Sequence, residues 1–320
     1  MNHLLTIVCF VFWSALPVAA QQTHGFAVAK FRHDKACAIS YTFDDGLKEH
    51  YTLVYPRLMA LGFKATFWIN GSKINSDAAP SKDTTRMDWG ELKEMANQGQ
   101  EISNHGWAHK NFGRFPLAEI AVDISKNDSA IYAHTGVMPR TFCYPNNTKT
   151  PEGVKLASQN RVGTRLSQRS VGGKSTDENL RKWADELIKN GEWGVTMTHG
   201  ISYGYDHFAT PQILWRHLND VKSREDEIWI STFREVVSYQ KERDSLQYEV
   251  SDRKNGFVVH LKSSLDKTLF TAPLTGVIAN AGGRPVQIKQ GGSKIKIRRT
   301  GNRILFDFDP FGKDIVVKIK

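Results

Sequence analysis

Ala36-Cys37-Ala38-Ile39-Ser40-Tyr41-Thr42-Phe43-Asp44-Asp45-Gly46 is an apolar, β-branched and aromatic run that stops at two carboxylates and a glycine. Its length and composition are those of a buried strand. Two adjacent acids at a strand end are costly to bring together unless a cation or a proton separates their charges. In folds with parallel strands and flanking helices, chemistry sits at the carboxyl ends of the strands. The pair therefore sets the question that the rest of the chain must answer.

Working outward, Leu47 to Gly62 has helical spacing of Leu53, Val54, Leu58 and Leu61 with a glycine stop. Strand-like segments at 65–69, 100–103, 141–144, 161–166, 194–198 and 228–233 then alternate with helical ones at 87–98, 117–133, 177–189, 210–221 and 235–243. Thr150 before Pro151 reads as a cap and first turn of one further helix. Such alternation predicts an α/β fold, a distorted and incomplete (β/α) barrel of about seven strands. Beyond Asp244, short segments such as FVVHL, RILFDF and IVVKI predict a small C-terminal all-β domain. The expected division is a leader over 1–20, a catalytic unit over 21–244 and an accessory domain over 245–320.

The leader is read from apolar residues between Leu4 and Leu16 followed by Pro17-Val18-Ala19-Ala20. An apolar core before small residues predicts a signal peptide cut after Ala20, hence export to a periplasm or the extracellular space. The segment is short for a membrane span, so no stable membrane insertion is expected after cleavage. Cys37 and Cys143 then remain, both in strand-like runs, and read as separate buried thiols. The chain is basic, with 43 Lys and Arg against 33 Asp and Glu. That balance suits an anionic polymer, but no nucleic-acid module accompanies it, so no nucleic-acid partner is expected.

Three strand ends carry metal-ligand residue types: Asp44-Asp45, His105-x-x-x-His109 and His199. Imidazole and carboxylate together suit zinc and its first-row neighbours, and three such ligands leave positions open for water and substrate. Each motif alone is weak. At the ends of alternating strands they converge on one face.

Thr-Phe-Asp-Asp-Gly at 42–46, His-x-x-x-His at 105–109 and the strand ending in His199 resemble the polysaccharide deacetylases of carbohydrate esterase family 4. The resemblance covers about residues 36–240 and implies metal-dependent removal of N- or O-linked acetyl groups from a glycan. It implies that Asp45, His105 and His109 bind a divalent metal, usually zinc. Asp44 then matches the general base and His199 the general acid. The alternation of side chains along a strand would let Asp44 and Asp45 take different roles. The backbone N–H of Asn146 matches the oxyanion donor, and Tyr144, Trp107 and Tyr203 are candidate substrate contacts. The expected partner is an acetylated polysaccharide or oligosaccharide.

Three departures stand out. Gly106 occupies the place of a Ser or Thr hydroxyl that stabilises the second motif in the family. The third motif commonly reads Arg-Pro-Pro-Tyr-Gly, its arginine pairing with the catalytic aspartate; here the matching stretch is Cys143 to Asn147. No Asp-Trp counterpart of the fourth motif is visible. Asp44 is therefore expected to lack a charge partner, which keeps open a non-catalytic carbohydrate-binding protein on the same scaffold. His50 and His134 read as surface groups.

Overall fold

The structure is a computed structural model that describes residues 25–76, 83–279 and 285–319; the expected leader lies outside them. Strands β1 (Phe26–Val28), β2 (Cys37–Ser40), β3 (Thr42–Asp44) and β4 (Thr66–Ile69) open the chain, with α1 (Tyr55–Leu61) before β4. Next come α2 (Trp89–Asn97), β5 (Glu101–Asn104), α3 (Leu117–Thr135), β6 (Thr141–Cys143), α4 (Pro151–Ala157) and β7 (Gly163–Arg165). The first unit closes with β8 (Arg169–Ser170), α5 (Asp177–Asn190), β9 (Trp193–Met197), α6 (Gln212–Ser223), β10 (Ile228–Ile230) and α7 (Phe233–Ser245).

Two parallel sheets, ordered β3-β4-β5-β6-β7 and β10-β2-β9-β8, curl into the expected incomplete barrel. They join because β2 and β3 are one strand broken at Tyr41. Asp44 donates its N–H to the Thr198 carbonyl (2.9 Å) and Thr198 donates back to Thr42 (3.1 Å), so β3 runs beside the end of β9.

Strand parity sorts the side chains between two environments. Phe43, Phe67 and Ile69 pack outward with Leu58, Leu92 and Leu214 of the helices. Thr42, Asp44, Trp68 and Cys143 point the other way, into the barrel, where Trp68 and Cys143 pack with Phe233 and Phe270. The helices start where local chemistry dictates. Asp88 and Glu91 form a reciprocal capping box on α2, and Thr150 accepts from the Gly153 N–H ahead of α4. Among the described residues, no helix is long and apolar enough to cross a membrane.

The helix expected after Gly46 differs at its start. His50–Val54 is a wide π-helical turn that only then tightens into α1. Turns of this kind collect at functional sites. This one turns His50 inward, so His50 is fully buried rather than a surface group. His134 is exposed and stacks on Trp89, ring centroids 4.4 Å apart.

The C-terminal part holds β11 (Gln247–Arg253), β12 (Gly256–Lys262), β13 (Leu274–Ile278), β14 (Val286–Gln290), β15 (Ser293–Lys294), β16 (Ile297–Thr300), β17 (Arg303–Phe308) and β18 (Ile315–Ile319). They form two antiparallel sheets, β11-β12-β18-β14-β15 and β1-β13-β17-β16, around Phe257, Val259, Ile288, Phe306 and Val317. Strand β1, from the far end of the described chain, pairs with β13 and places Phe26 in that core. Both cysteines are buried and free.

Candidate active site

The side chains that matter sit on the carboxyl ends of β3, β5, β6, β7 and β9. Asp44 is the last residue of β3, and its side chain is almost wholly buried. Asp45 is already off the strand, at φ 77° in the left-handed region, with Gly46 following at φ 67°. The two acids are thus separated by a turn of the backbone rather than by strand parity. Aspartate is among the residues that tolerate this region, and such outliers gather at active sites.

The turn faces Asp45 toward the second motif. Its Oδ1 lies 3.6 Å from His105 Nε2 and 3.7 Å from His109 Nε2. That oxygen is buried and has no hydrogen-bond partner among the described residues. One ligand atom from each of the three residues lies within 4.8 Å of the other two. His105 Nδ1 hydrogen-bonds the Cys143 carbonyl at 2.8 Å, which fixes its tautomer and leaves Nε2 free for a ligand bond. Burial lowers the pKa of His105; burial and then the neighbouring His105 lower that of His109, to about 4. Both imidazoles are held neutral, the form that binds a cation. An orphaned buried carboxylate oxygen facing two neutral imidazole nitrogens fits a divalent metal.

The expectation that Asp44 lacks a charge partner is wrong. Arg165, at the end of β7, donates Nη1 to Asp44 Oδ1 at 2.7 Å and Nη2 to Oδ2 at 2.5 Å. Its Nη1 also reaches the Thr42 hydroxyl at 2.6 Å. Burial alone would raise the Asp44 pKa, but the guanidinium outweighs it and holds the carboxyl below the usual range. Cys143 leaves room for this arrangement, its sulfur 3.9 Å from Asp44 Oδ2. The guanidinium that the third motif lacks arrives from the next strand.

Gly106 has a similar explanation. A Cβ on it, at φ 76°, would lie 2.6 Å from the Asp123 carboxylate. Asp123 accepts the Ala108 N–H at 2.8 Å and so secures the His105–His109 loop from helix α3. A carboxylate from outside the motif does the work of the missing hydroxyl.

His199 Nε2 lies 3.9 Å from Asp44 Oδ2. Two braces fix its loop. His50 Nε2–H donates to the His199 carbonyl at 2.7 Å. Glu49 accepts the N–H groups of Ile201 (3.0 Å) and Ser202 (2.9 Å). His199 Nδ1 is buried without a partner among the described residues.

These groups line a depression of about 410 Å³ together with Tyr144, Asn146, Asn147, Met197 and Tyr205. Asn146, in the left-handed region at φ 57°, therefore stands at the site as the sequence suggests. Tyr144 is nearly buried and spends its hydroxyl on Thr164 at 2.9 Å, presenting only part of its ring. The other two aromatic candidates lie elsewhere. Trp107 lines a neighbouring depression with Val122, under the Lys126 ammonium at 4.3 Å. Tyr203 is exposed but outside the lining, whereas Tyr205 stands over His199, ring centroids 5.1 Å apart, and is 74% exposed. Sequence reasoning missed Arg165, Asp123, Glu49 and His50; only the glycine at 106 hinted that a neighbour approaches closely.

The half-open parallel barrel thus carries two carboxylates, three histidines and an arginine at its strand ends. Residues 32–164 match the family model for polysaccharide deacetylases. It is 23% identical over 302 residues to a gellan lyase of Bacillus sp, covering 79% of this chain and 11% of that protein. It is 28% identical over 114 residues to a chitin deacetylase of Pestalotiopsis sp, covering 34% of this chain and 35% of that one. The chain thus spans well under half the length of these relatives. A Mycobacterium smegmatis protein, described as a candidate polysaccharide deacetylase, shares the fold with a TM-score of 0.51 at 14% identity, over 68% of this chain and 94% of that one.

Proposed function

We propose that the protein is an exported, zinc-dependent deacetylase that hydrolyses N- or O-linked acetyl groups on a polysaccharide or oligosaccharide. The observation that carries this reading is the ionised Asp44, gripped by Arg165, beside the Asp45–His105–His109 triangle and facing His199. Asp45, His105 and His109 would hold the metal, which when bound supplies Lewis acidity toward water and an acetyl carbonyl. Asp44, ionised and aimed by the arginine, accepts the proton of the attacking water. His199, which also lines the depression, gives a proton to the departing sugar nitrogen or oxygen. The N–H of Asn146 supports the developing oxyanion. Tyr205 offers a ring face to a sugar. The apolar leader supports export.

The test is acetate release from acetylated chitin, peptidoglycan and xylan fragments with zinc added. Release from one of them that disappears in Asp44→Asn supports the reading; none from any panel member overturns it. One observation favours a second reading, a non-catalytic glycan-binding protein on this scaffold: among the described residues, no carboxylate orients the buried Nδ1 of His199. Glycan binding without acetate release would select that reading.

A further inference from the structure

The positive charge of this chain is not where the chemistry is. Residues 245–320 hold 14 Lys and Arg against six Asp and Glu, whereas residues 1–244 hold 29 against 27. Nearly all the net charge therefore belongs to the C-terminal β domain.

Within that domain the charge is ordered. Lys294, Lys296 and Arg298 alternate with Ile295 and Ile297 along residues 293–300, which form the outermost strand of both sheets, β15 of one and β16 of the other. The isoleucines pack on the core, and the cations are exposed. Lys289 on β14 stands directly across the ladder from Lys294. Like charges in opposed positions destabilise a sheet, and among the described residues neither lysine forms an ion pair with an acid that would relieve them. Charged edges do discourage strand pairing, but an edge alone does not require a second lysine on the inner neighbour. Lys296 and Arg298 border a depression of about 440 Å³ that also reaches His33. The single carboxylate lining it, Asp307, is already engaged by Arg32 at 3.4 Å and His33 at 3.2 Å.

The domain also lacks the usual equipment for neutral sugars. Among the described residues, every exposed large apolar or aromatic side chain precedes residue 206, so no stacking platform is found on it. What remains is charge.

We propose that the basic edge formed by Lys289, Lys294, Lys296 and Arg298 is a docking surface for a polyanionic glycan, a uronate- or sulfate-bearing chain that the catalytic unit deacetylates. This rests on the deacetylase reading for what happens after docking, but docking itself does not. Recognition is electrostatic, so it is strong in dilute salt and screened at high ionic strength.

The probes are polygalacturonate, neutral xylan and a single-stranded oligonucleotide, titrated against the full chain at low and high salt. The comparison protein is K294Q/K296Q/R298Q, with its thermal midpoint as a check on folding. The expected result is binding to polygalacturonate that weakens about tenfold or more with salt and by a similar factor in the triple variant. Hydrolysis of 4-nitrophenyl acetate, which needs only the catalytic centre, is expected to be unchanged. Equal affinity for xylan, undiminished binding by the folded triple variant, or tighter binding to the oligonucleotide would overturn the proposal. Because 4-nitrophenyl acetate reports on the catalytic centre and polygalacturonate on the edge, failure of one reading is separable from failure of the other. Should the triple variant not fold, the single variants K294Q and K296Q carry the same comparison.

Discussion

Arg165 and Asp44 form a two-pronged, fully buried ion pair across the barrel interior, from the end of β7 to the end of β3. Breaking such a pair leaves one charge stranded in a poor dielectric, at a cost of about 3–5 kcal/mol. Arg165→Met is expected to lower the thermal midpoint sharply and to slow acetate release by roughly a hundredfold, the scale for a misplaced catalytic group. The double variant Asp44→Asn/Arg165→Met is expected to regain stability and no activity. Calorimetry and an acetate assay on the three proteins check this; wild-type turnover in Arg165→Met would remove the arginine from the site.

The orphaned Oδ1 of Asp45 gives a binding prediction that does not need a substrate. A ligand that binds only the folded state at a hundred times its Kd adds about 2.7 kcal/mol of stability. Zinc is expected to raise the thermal midpoint and chelation to lower it. Asp45→Ala and His105→Ala are expected to lose both responses along with the bound metal, as measured by elemental analysis.

His50 is expected to act through His199, whose carbonyl it holds at 2.7 Å. Burial depresses its pKa to about 4, so the ring is neutral and donates a single N–H. His50→Ala is expected to lower kcat about tenfold, a fraction of a general acid's usual contribution, with KM little changed. His50→Gln, which keeps an N–H donor, is expected to recover most of the loss. Equal defects in the two variants would make His50 a packing residue only.

Glu242, on α7, predicts a pH response of stability. Burial raises its carboxyl from 4.5 to about 7, and Asp309 adds to the effect against the hydrogen bond from Ala272. An unfolded chain gives up this proton first as pH rises. The group's contribution is therefore full below about 4.5 and is lost as pH climbs through about 7, an effect on the order of 2 kcal/mol. Glu242→Gln is expected to flatten the decline and to be more stable than the parent at pH above 7. Parallel stability–pH curves for the two proteins would count against it.

The motifs that sequence reading found are those whose members are close along the chain. Asp44 and Asp45 share a strand end, and His105 and His109 share one turn of loop. The barrel was legible for the same reason, since each strand and helix announces itself by local periodicity. Arg165 could not be found this way: it lies 121 residues from Asp44, and only the curl of the sheet brings β7 opposite β3. Nothing about a lone arginine in a short strand marks it as a partner. His50 was misplaced because ordinary helical spacing puts it on the outside, and the π-helical turn rotates it in. For the two aspartates the expected cause is wrong. Their side chains part because Asp45 takes a left-handed turn, which a reading by strand alternation does not anticipate.

Strand β1 bears on how the molecule would come apart. It precedes the barrel strands in sequence but belongs by hydrogen bonding to a C-terminal antiparallel sheet, where Phe26, Ala27 and Val28 face Ile278, Val277 and Gly276. Tyr239 of α7 ties the same seam by donating to the Ala29 carbonyl at 2.8 Å. A protease that cuts the short connection between α7 and β11 would therefore yield two fragments that stay clasped, and the nick would show on a denaturing gel but not in the mass of the native particle.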